Sequence, residues 1–321
     1  MSVSAESPDS PEFLTRRSVR RSAGLQACAH LAAKPVLPGR PEGLHDICTK
    51  YAGAACRLFV AFVLVVIAGA GRAGAQQPGP RPVDSISPDK AEFLPRTNFH
   101  LTANTLSGGD PRFTWDARWG GSADVLDYHF GRLGIVGDYE AVVGSERKNF
   151  DVNQGLYILE ASMSGFYHEH EFALVFHHVS RHLTDRLKPK PTAWNVLEAR
   201  YLHNFDFDGT KVAVVAAAGN VVTHVDVDYT WNLNFDVRVS RPVKPRLDIY
   251  ARGLGDTFGV DPAIKGRTQP QHAGRFEGGV RFNARSAALE LFAGVEHRMD
   301  ADLHDYQPIT WGVMGFRLVN K

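Results

Sequence analysis

The sequence predicts an all-β fold: a transmembrane antiparallel up-and-down β-barrel of about twelve strands (ten to twelve) over residues 98–321. Three observations predict it. An export signal precedes the strands, one stretch alternates apolar and polar residues for longer than a soluble strand needs, and the links between strands alternate short and long.

The export signal is the apolar run Leu58 to Ala70, LFVAFVLVVIAGA, with Arg57 before it and Ala73-Gly74-Ala75 after it. A basic residue, an apolar core and small residues at −3 and −1 make a secretory signal peptide over 57–75. At about thirteen residues the core is short of the roughly 20 that a spanning helix needs. Residues 1–56 are rich in Arg, Ser, Ala and Pro without periodicity, and read as a gene-model extension or a disordered leader. No Met lies between Met1 and Met163, so an alternative start codon near residue 50 fits the same reading. Residues 76–97, with QQPGPRP and SPDK, read as a periplasmic lead-in.

The clearest strand pattern is Val225 to Val239. Val225, Val227, Tyr229, Trp231, Leu233, Phe235, Val237 and Val239 alternate with Asp226, Asp228, Thr230, Asn232, Asn234, Asp236 and Arg238. Period two gives one apolar and one polar face, and the length suits a tilted strand crossing a bilayer. Weaker copies include Tyr157, Leu159, Ala161 and Met163 against Glu160, Ser162 and Ser164, and Leu289, Leu291, Ala293 and Val295 against Glu290 and Glu296. The polar faces mix acids and arginines, which pair across a narrow lumen because an unpaired buried charge is expensive.

Strands are expected near 98–106, 112–121, 131–145, 153–167, 170–183, 193–206, 209–224, 225–240, 246–258, 273–284, 287–299 and 309–320. Inner turns then fall near Glu169, at 206–209 (DFDG), 242–245 and 284–286, with longer outer loops at 185–192, 259–272 and 300–308. Two links break the rule: the outer link at 224/225 is too tight, and the inner link at 122–130 is long. The terminal stretch WGVMGFRLVNK resembles the assembly signal of such barrels, though it ends in Asn320-Lys321 and not in an aromatic residue. The expected location is the bacterial outer membrane and the expected partners are its lipids (lipopolysaccharide or phospholipid) and the barrel assembly machinery.

Composition removes several classes. With 36 Lys+Arg against 35 Asp+Glu, the chain lacks the basic excess of a nucleic-acid binder, so no nucleic-acid partner is expected. Cys28, Cys48 and Cys56 all precede the signal core, so a processed chain has neither a disulfide framework nor a thiolate metal site. No Gly-rich phosphate loop opens a helix, and no cofactor is called for.

Chemistry-bearing residues concentrate at His177-His178-Val179-Ser180-Arg181-His182-Leu183-Thr184-Asp185, at the end of an outward strand. By period two His178, Ser180, His182 and Thr184 share a face, with neighbours on that face about 7 Å apart. Side-chain rotation brings base and nucleophile together, as acyl transfer requires. His178 is the candidate base, Ser180 the candidate nucleophile, and Asp185 or a residue of another strand the orienting acid; Arg181 and His182 are candidate binding residues. Phe172, Leu174 and Phe176 share the parity of Ser180 and place it on the outer wall, although Ala173, Val175 and Val179 make the opposite face almost as apolar. A metal site is not expected here, since strand spacing of His178, His182 and Asp185 rarely sets a tetrahedron. His168-Glu169-His170 sits in a tight inner turn and reads as solvated.

His178, Ser180, His182, Leu183 and Asp185 form H-x-S-x-H-L-x-D, which resembles the signature of an uncharacterised family of bacterial outer-membrane barrels; there the stretch usually reads H-x-S-S-H-L-G-D, and here Arg181 and Thr184 take the variable places. The shorter H-x-S is similar to the lipid A 3-O-deacylase barrels. That resemblance implies His178 as base and Ser180 as nucleophile on the outer wall. Those enzymes usually have Asn where this chain has Arg181, and a downstream Glu for which Glu198, on the lumen parity, is the nearest candidate. The function expected is therefore a lipid-directed ester hydrolase (lipid A or phospholipid deacylation) at the external membrane boundary; the alternative is a non-catalytic narrow pore or a structural or ligand-binding barrel.

Overall fold

The computed structural model describes residues 89–184, 192–302 and 306–320. The expected leader, the signal peptide, most of the lead-in and Asp185 lie outside the described residues.

Twelve strands form one sheet: β1 (Glu92–Leu106), β2 (Trp115–Asp127), β3 (Arg132–Gly144), β4 (Asp151–Tyr167), β5 (His170–Leu183), β6 (Thr192–Phe207), β7 (Thr210–Val225), β8 (Tyr229–Lys244), β9 (Leu247–Val260), β10 (Gln271–Asn283), β11 (Ala287–Arg298) and β12 (Ile309–Asn320). A single helical turn, α1 (Pro262–Lys265), interrupts the link after β9, with Asp261 accepting from the Ala263 N–H as its cap. Every strand pairs antiparallel with its sequence neighbour, and β1 closes on β12 from His100↔Val319 to Leu106↔Val313. Closure leaves no unpaired strand edge facing hydrocarbon.

The two misfit links are resolved by the register. β1 starts at Glu92, not near 98, and β2 runs on to Asp127, because Glu92 to Asn98 pair with Ser122 to Asp127. The long inner link shrinks to 128–131. At the other misfit, the Val225–Val239 alternation is not one strand. Val225 ends β7, Asp226 takes a positive φ of 56°, and β8 begins at Tyr229. A bulge between Tyr229 and Trp231 then resets the parity. Val227 and Tyr229 are buried inside the external mouth (3 % and 2 % exposed), whereas Trp231, Leu233 and Phe235 face outward. The inner DFDG turn has Asp208 and Gly209 both at positive φ, the requirement of a two-residue hairpin.

The outer wall is apolar and the lumen is not. Phe172, Leu174 and Phe176 are 54, 51 and 45 % exposed, while Glu171 and Val175, of the opposite parity, are buried. Inside, Glu290 accepts from Arg238 (2.7 Å), Arg281 (3.1 Å) and Arg317 (2.8 Å), and Glu277 accepts from Arg317 (2.8 Å) and Arg275 (2.9 Å). Two apolar plugs fill the external mouth. One gathers Phe113, Val142 and Trp311; the other gathers Val179, Trp194, Tyr229 and Phe258. Above them Arg267 ties three external loops together. Its Nη1 lies 2.7 Å from Asp300 and its Nε 2.9 Å from Asp228, while the Tyr229 hydroxyl donates to Asp300 at 2.6 Å.

At the periplasmic end one expectation changes. His170 is not a solvated turn residue. It starts β5, bonds the Tyr201 hydroxyl through Nδ1 at 2.9 Å, and stacks on His203 with ring centroids 4.5 Å apart. Only His168 and Glu169 make the turn.

Candidate functional site

β5 carries the site residues. Its inward parity is Glu171, Val175, Val179 and Leu183, all buried, and its outward parity continues from Phe176 to His178, Ser180 and His182. The three lie on the lipid-facing wall near the external end of the strand. Their cross-strand row shows the level: Trp119 pairs with Tyr139, Tyr139 with Tyr157, and Tyr157 with Ser180. The rings meet in sequence in tilted contacts, Trp119 to Tyr139 at 4.7 Å and Tyr139 to Tyr157 at 4.8 Å between centroids. Tyrosine and tryptophan settle at the lipid–water boundary because one end of each is apolar and the other polar. Ser180 therefore belongs to the same cross-strand row as this aromatic series.

The hydroxyl of Ser180 lies 2.6 Å from His182 Nε2. Tyr157 meets the His182 ring edge-on at 5.5 Å. His178 is engaged elsewhere: its Nδ1 lies 2.7 Å from Asn195 Oδ1 on β6. Asn195 in turn donates from Nδ2 to Thr223 Oγ1 at 2.5 Å on β7. Because Asn195 spends its NH2 group on Thr223, its Oδ1 faces the ring, so Nδ1 of His178 carries the proton and Nε2 keeps its lone pair. A register slip between Asn195 and Val196 lets Thr223 meet Asn195 on the outer wall. Such bulges re-aim side chains.

The structure thus separates the residues expected to act together. Ser180 faces His182 and not His178. Arg181, placed by sequence among the binding residues, has the opposite parity; it points into the lumen, where its Nη2 donates to Gln154 Oε1 at 3.1 Å and to the Ala301 carbonyl at 3.5 Å. A guanidinium facing inward cannot meet a headgroup outside the wall. Glu198 is also luminal and is held by Arg200 and Asn232, so it cannot orient a base on the outer wall. Asp185 lies outside the described residues.

Sequence reasoning passed over Asn195, Thr223 and Tyr157. A signal for Asn195 existed: it is the polar member of the outward series Asn195, Leu197, Ala199, Tyr201 on β6. Its link to His178 crosses strands and no local spacing reveals it. Among the described residues, no group of three His, Cys, Asp or Glu is arranged to hold a metal ion.

No protein-family model matches the sequence, and no curated protein matches it. Solved structures of similar fold include outer membrane phospholipase A from Escherichia coli, at 11 % identity and a TM-score of 0.45, with 71 % of this chain and 98 % of that chain covered. LpxR from Salmonella typhimurium gives 8 % identity and 0.41 over 69 % and 99 %; OmpT of Vibrio cholerae gives 7 % and 0.39 over 72 % and 97 %. At these identities and TM-scores the likeness carries no argument about this chain. The closed antiparallel cylinder, its apolar wall and its short inner hairpins make the chain a bacterial outer-membrane β-barrel.

Proposed function

We propose that this barrel hydrolyses acyl esters of outer-membrane lipid, with Ser180 as nucleophile. The observation that carries the reading is the 2.6 Å contact between Ser180 Oγ and His182 Nε2 on the lipid-facing wall, level with the Tyr157 row. An ester carbonyl of a phospholipid or of lipid A lies at that depth. His182 Nε2 takes the hydroxyl proton as Oγ attacks the carbonyl carbon, and returns it to the alcohol oxygen as the ester bond breaks. Water, deprotonated by the same ring, then releases the fatty acid from Ser180. Asp185, three residues beyond His182, is the proposed carboxylate that orients this ring.

A second reading makes His178 the base, and one observation favours it: Asn195 already fixes its tautomer. A rotation of the Ser180 side chain would hand the hydroxyl from one imidazole to the other. The test is acyl release from phosphatidylcholine and from lipid A by the full processed chain in detergent micelles. Ser180→Ala is expected to lower release by at least about a hundredfold. His182→Ala matches that loss on the first reading. On the second, His178→Ala matches it and Asn195→Ala follows in part. Unchanged release by Ser180→Ala would end both readings.

A further inference from the structure

Among the described residues, the outward faces of β9 to β12 carry two ionisable side chains, His272 and His297. The rest of that wall is apolar side chains, glycine and a few neutral polar groups; Phe276, Val295 and Met314 are all more than half exposed. The apolar band stops at the external strand ends in a tier of four polar residues: Thr257, His272, His297 and Thr310. His272 stands opposite Thr257, and His297 opposite Thr310. Gly274 also faces His297, so the β10 wall next to that ring carries no side chain. His272 Nδ1 lies 3.0 Å from Thr257 Oγ1, and His297 Nδ1 lies 2.8 Å from Thr310 Oγ1. Neither Nε2 has a hydrogen-bond partner among the described residues. The two pairs bridge the β9–β10 and β11–β12 gaps, two interstrand steps or about 10 Å apart.

Imidazole is the side chain that gains charge between about pH 8 and pH 5. A charged ring donates from both nitrogens. The threonine then accepts from Nδ1, which leaves its own hydrogen and the ring's Nε2–H for an acceptor in front of the wall. The protein itself offers no carboxylate there. Asp256, Arg275, Glu296 and Arg298, the nearest charged residues on the same strands, have the luminal parity. In the adjoining links Asp261 caps α1, Lys265 covers the Tyr306 ring, Arg267 holds Asp228 and Asp300, and Arg112 holds Asp302. The flanking outward faces present Trp231, Leu233 and Phe235 on β8 and Phe99, Leu101 and Ala103 on β1. An anion that sits against a lipid-facing wall at the end of its apolar band is a lipid phosphate, and such an oxygen takes charge-assisted bonds from imidazolium.

We propose that the Thr257–His272 and His297–Thr310 pairs form a binding site for net-anionic lipid, each protonated pair holding the oxygens of one phosphate, with affinity that rises as the pH falls. The site is separate from Ser180: β10 and β11 lie five and six strands from β5 in a ring of twelve, on the opposite wall. The test is native mass spectrometry of the full processed barrel in detergent with equal amounts of ether-linked phosphatidylglycerol and phosphatidylcholine. Ether links keep the result independent of any hydrolysis at Ser180. At about pH 5.5 the barrel is expected to retain phosphatidylglycerol at least about threefold over phosphatidylcholine, and at about pH 8 to retain the two equally. His272→Gln and His297→Gln should each lower the acid preference, and the double variant should remove it. Heat-modifiable gel mobility shows that each variant is folded; should the double variant fail to fold, the two single variants decide. Equal retention at acid pH, a preference unchanged by pH or by both single substitutions, loss of the preference on adding a chelator, or displacement of the lipid by inorganic phosphate would each overturn the proposal.

Discussion

Arg238 and Glu290 meet in the lumen as a two-point pair, with Nη2 2.7 Å from Oε1 and Nη1 3.3 Å from Oε2, and both side chains are buried. Arg281 and Arg317 converge on the same carboxylate. Glu290 is therefore the acidic centre of three guanidinium groups. Glu290→Ala leaves all three without it, and the expected destabilisation is about 3–5 kcal/mol. Glu290→Gln keeps the volume and one acceptor oxygen and should cost less. Urea unfolding of the detergent-refolded barrel, followed by tryptophan fluorescence, measures both.

The same lattice makes a claim about transport. Glu277, Glu290 and their arginines span the lumen, and the two apolar plugs fill the external mouth. In planar bilayers the wild-type barrel should show no steady open-channel current. Sustained ohmic conductance would contradict this arrangement of the interior.

The outer wall is tested by charge. Leu291 lies in the middle of β11 and faces outward. Leu291→Arg is expected to destabilise the barrel in lipid by about 2–4 kcal/mol, the penalty of a midplane arginine. Leu291→Phe keeps the apolar surface and should fold as wild type. Equal stability of the arginine variant in phospholipid vesicles would mean that this face does not meet hydrocarbon.

The external loops carry a pH dependence. Burial, reinforced by the Asp226 and Asp300 carboxylates, pushes the Tyr306 phenol up to about 12. Its hydroxyl lies 3.2 Å from Asp226 Oδ2, and the Lys265 ammonium sits 3.2 Å from its ring centre. A raised folded-state pKa means that the stabilisation is complete below the unfolded value near 10 and is lost as pH rises through about 12. Phenolate absorbance should therefore contain a late-ionising component to which Tyr306 contributes. Tyr306→Phe should reduce that component by the amplitude of one phenol and leave the rest of the titration unchanged.

Much of the architecture was legible because a strand in a barrel wall declares its face at every second residue. The outward parity of Phe172, Leu174 and Phe176 carried through to His178, Ser180 and His182, and the luminal parity of Glu198 held. Parity fails where a strand adds a residue. The unbroken alternation from Val225 to Val239 concealed a turn at 226–228, because the bulge at Tyr229 restores the sequence rhythm after the chain has reversed. Parity also names a wall and not a partner. It could not choose between His178 and His182 for Ser180, because both are two residues away on one face; the choice was made by Asn195, which lies on the next strand and draws His178 toward itself.

The pairing of His100 with Val319 joins the first strand to the last. A chain missing β12 would retain eleven strands yet expose two ungated rows of amide and carbonyl groups to hydrocarbon, each row costing several kcal/mol per unsatisfied group. No shorter intermediate is then a resting place inside the bilayer. Insertion becomes an all-or-nothing event that waits on the final residues to be synthesised, so truncations near the carboxyl terminus should leave material stranded in the periplasm and not a smaller cylinder in the membrane.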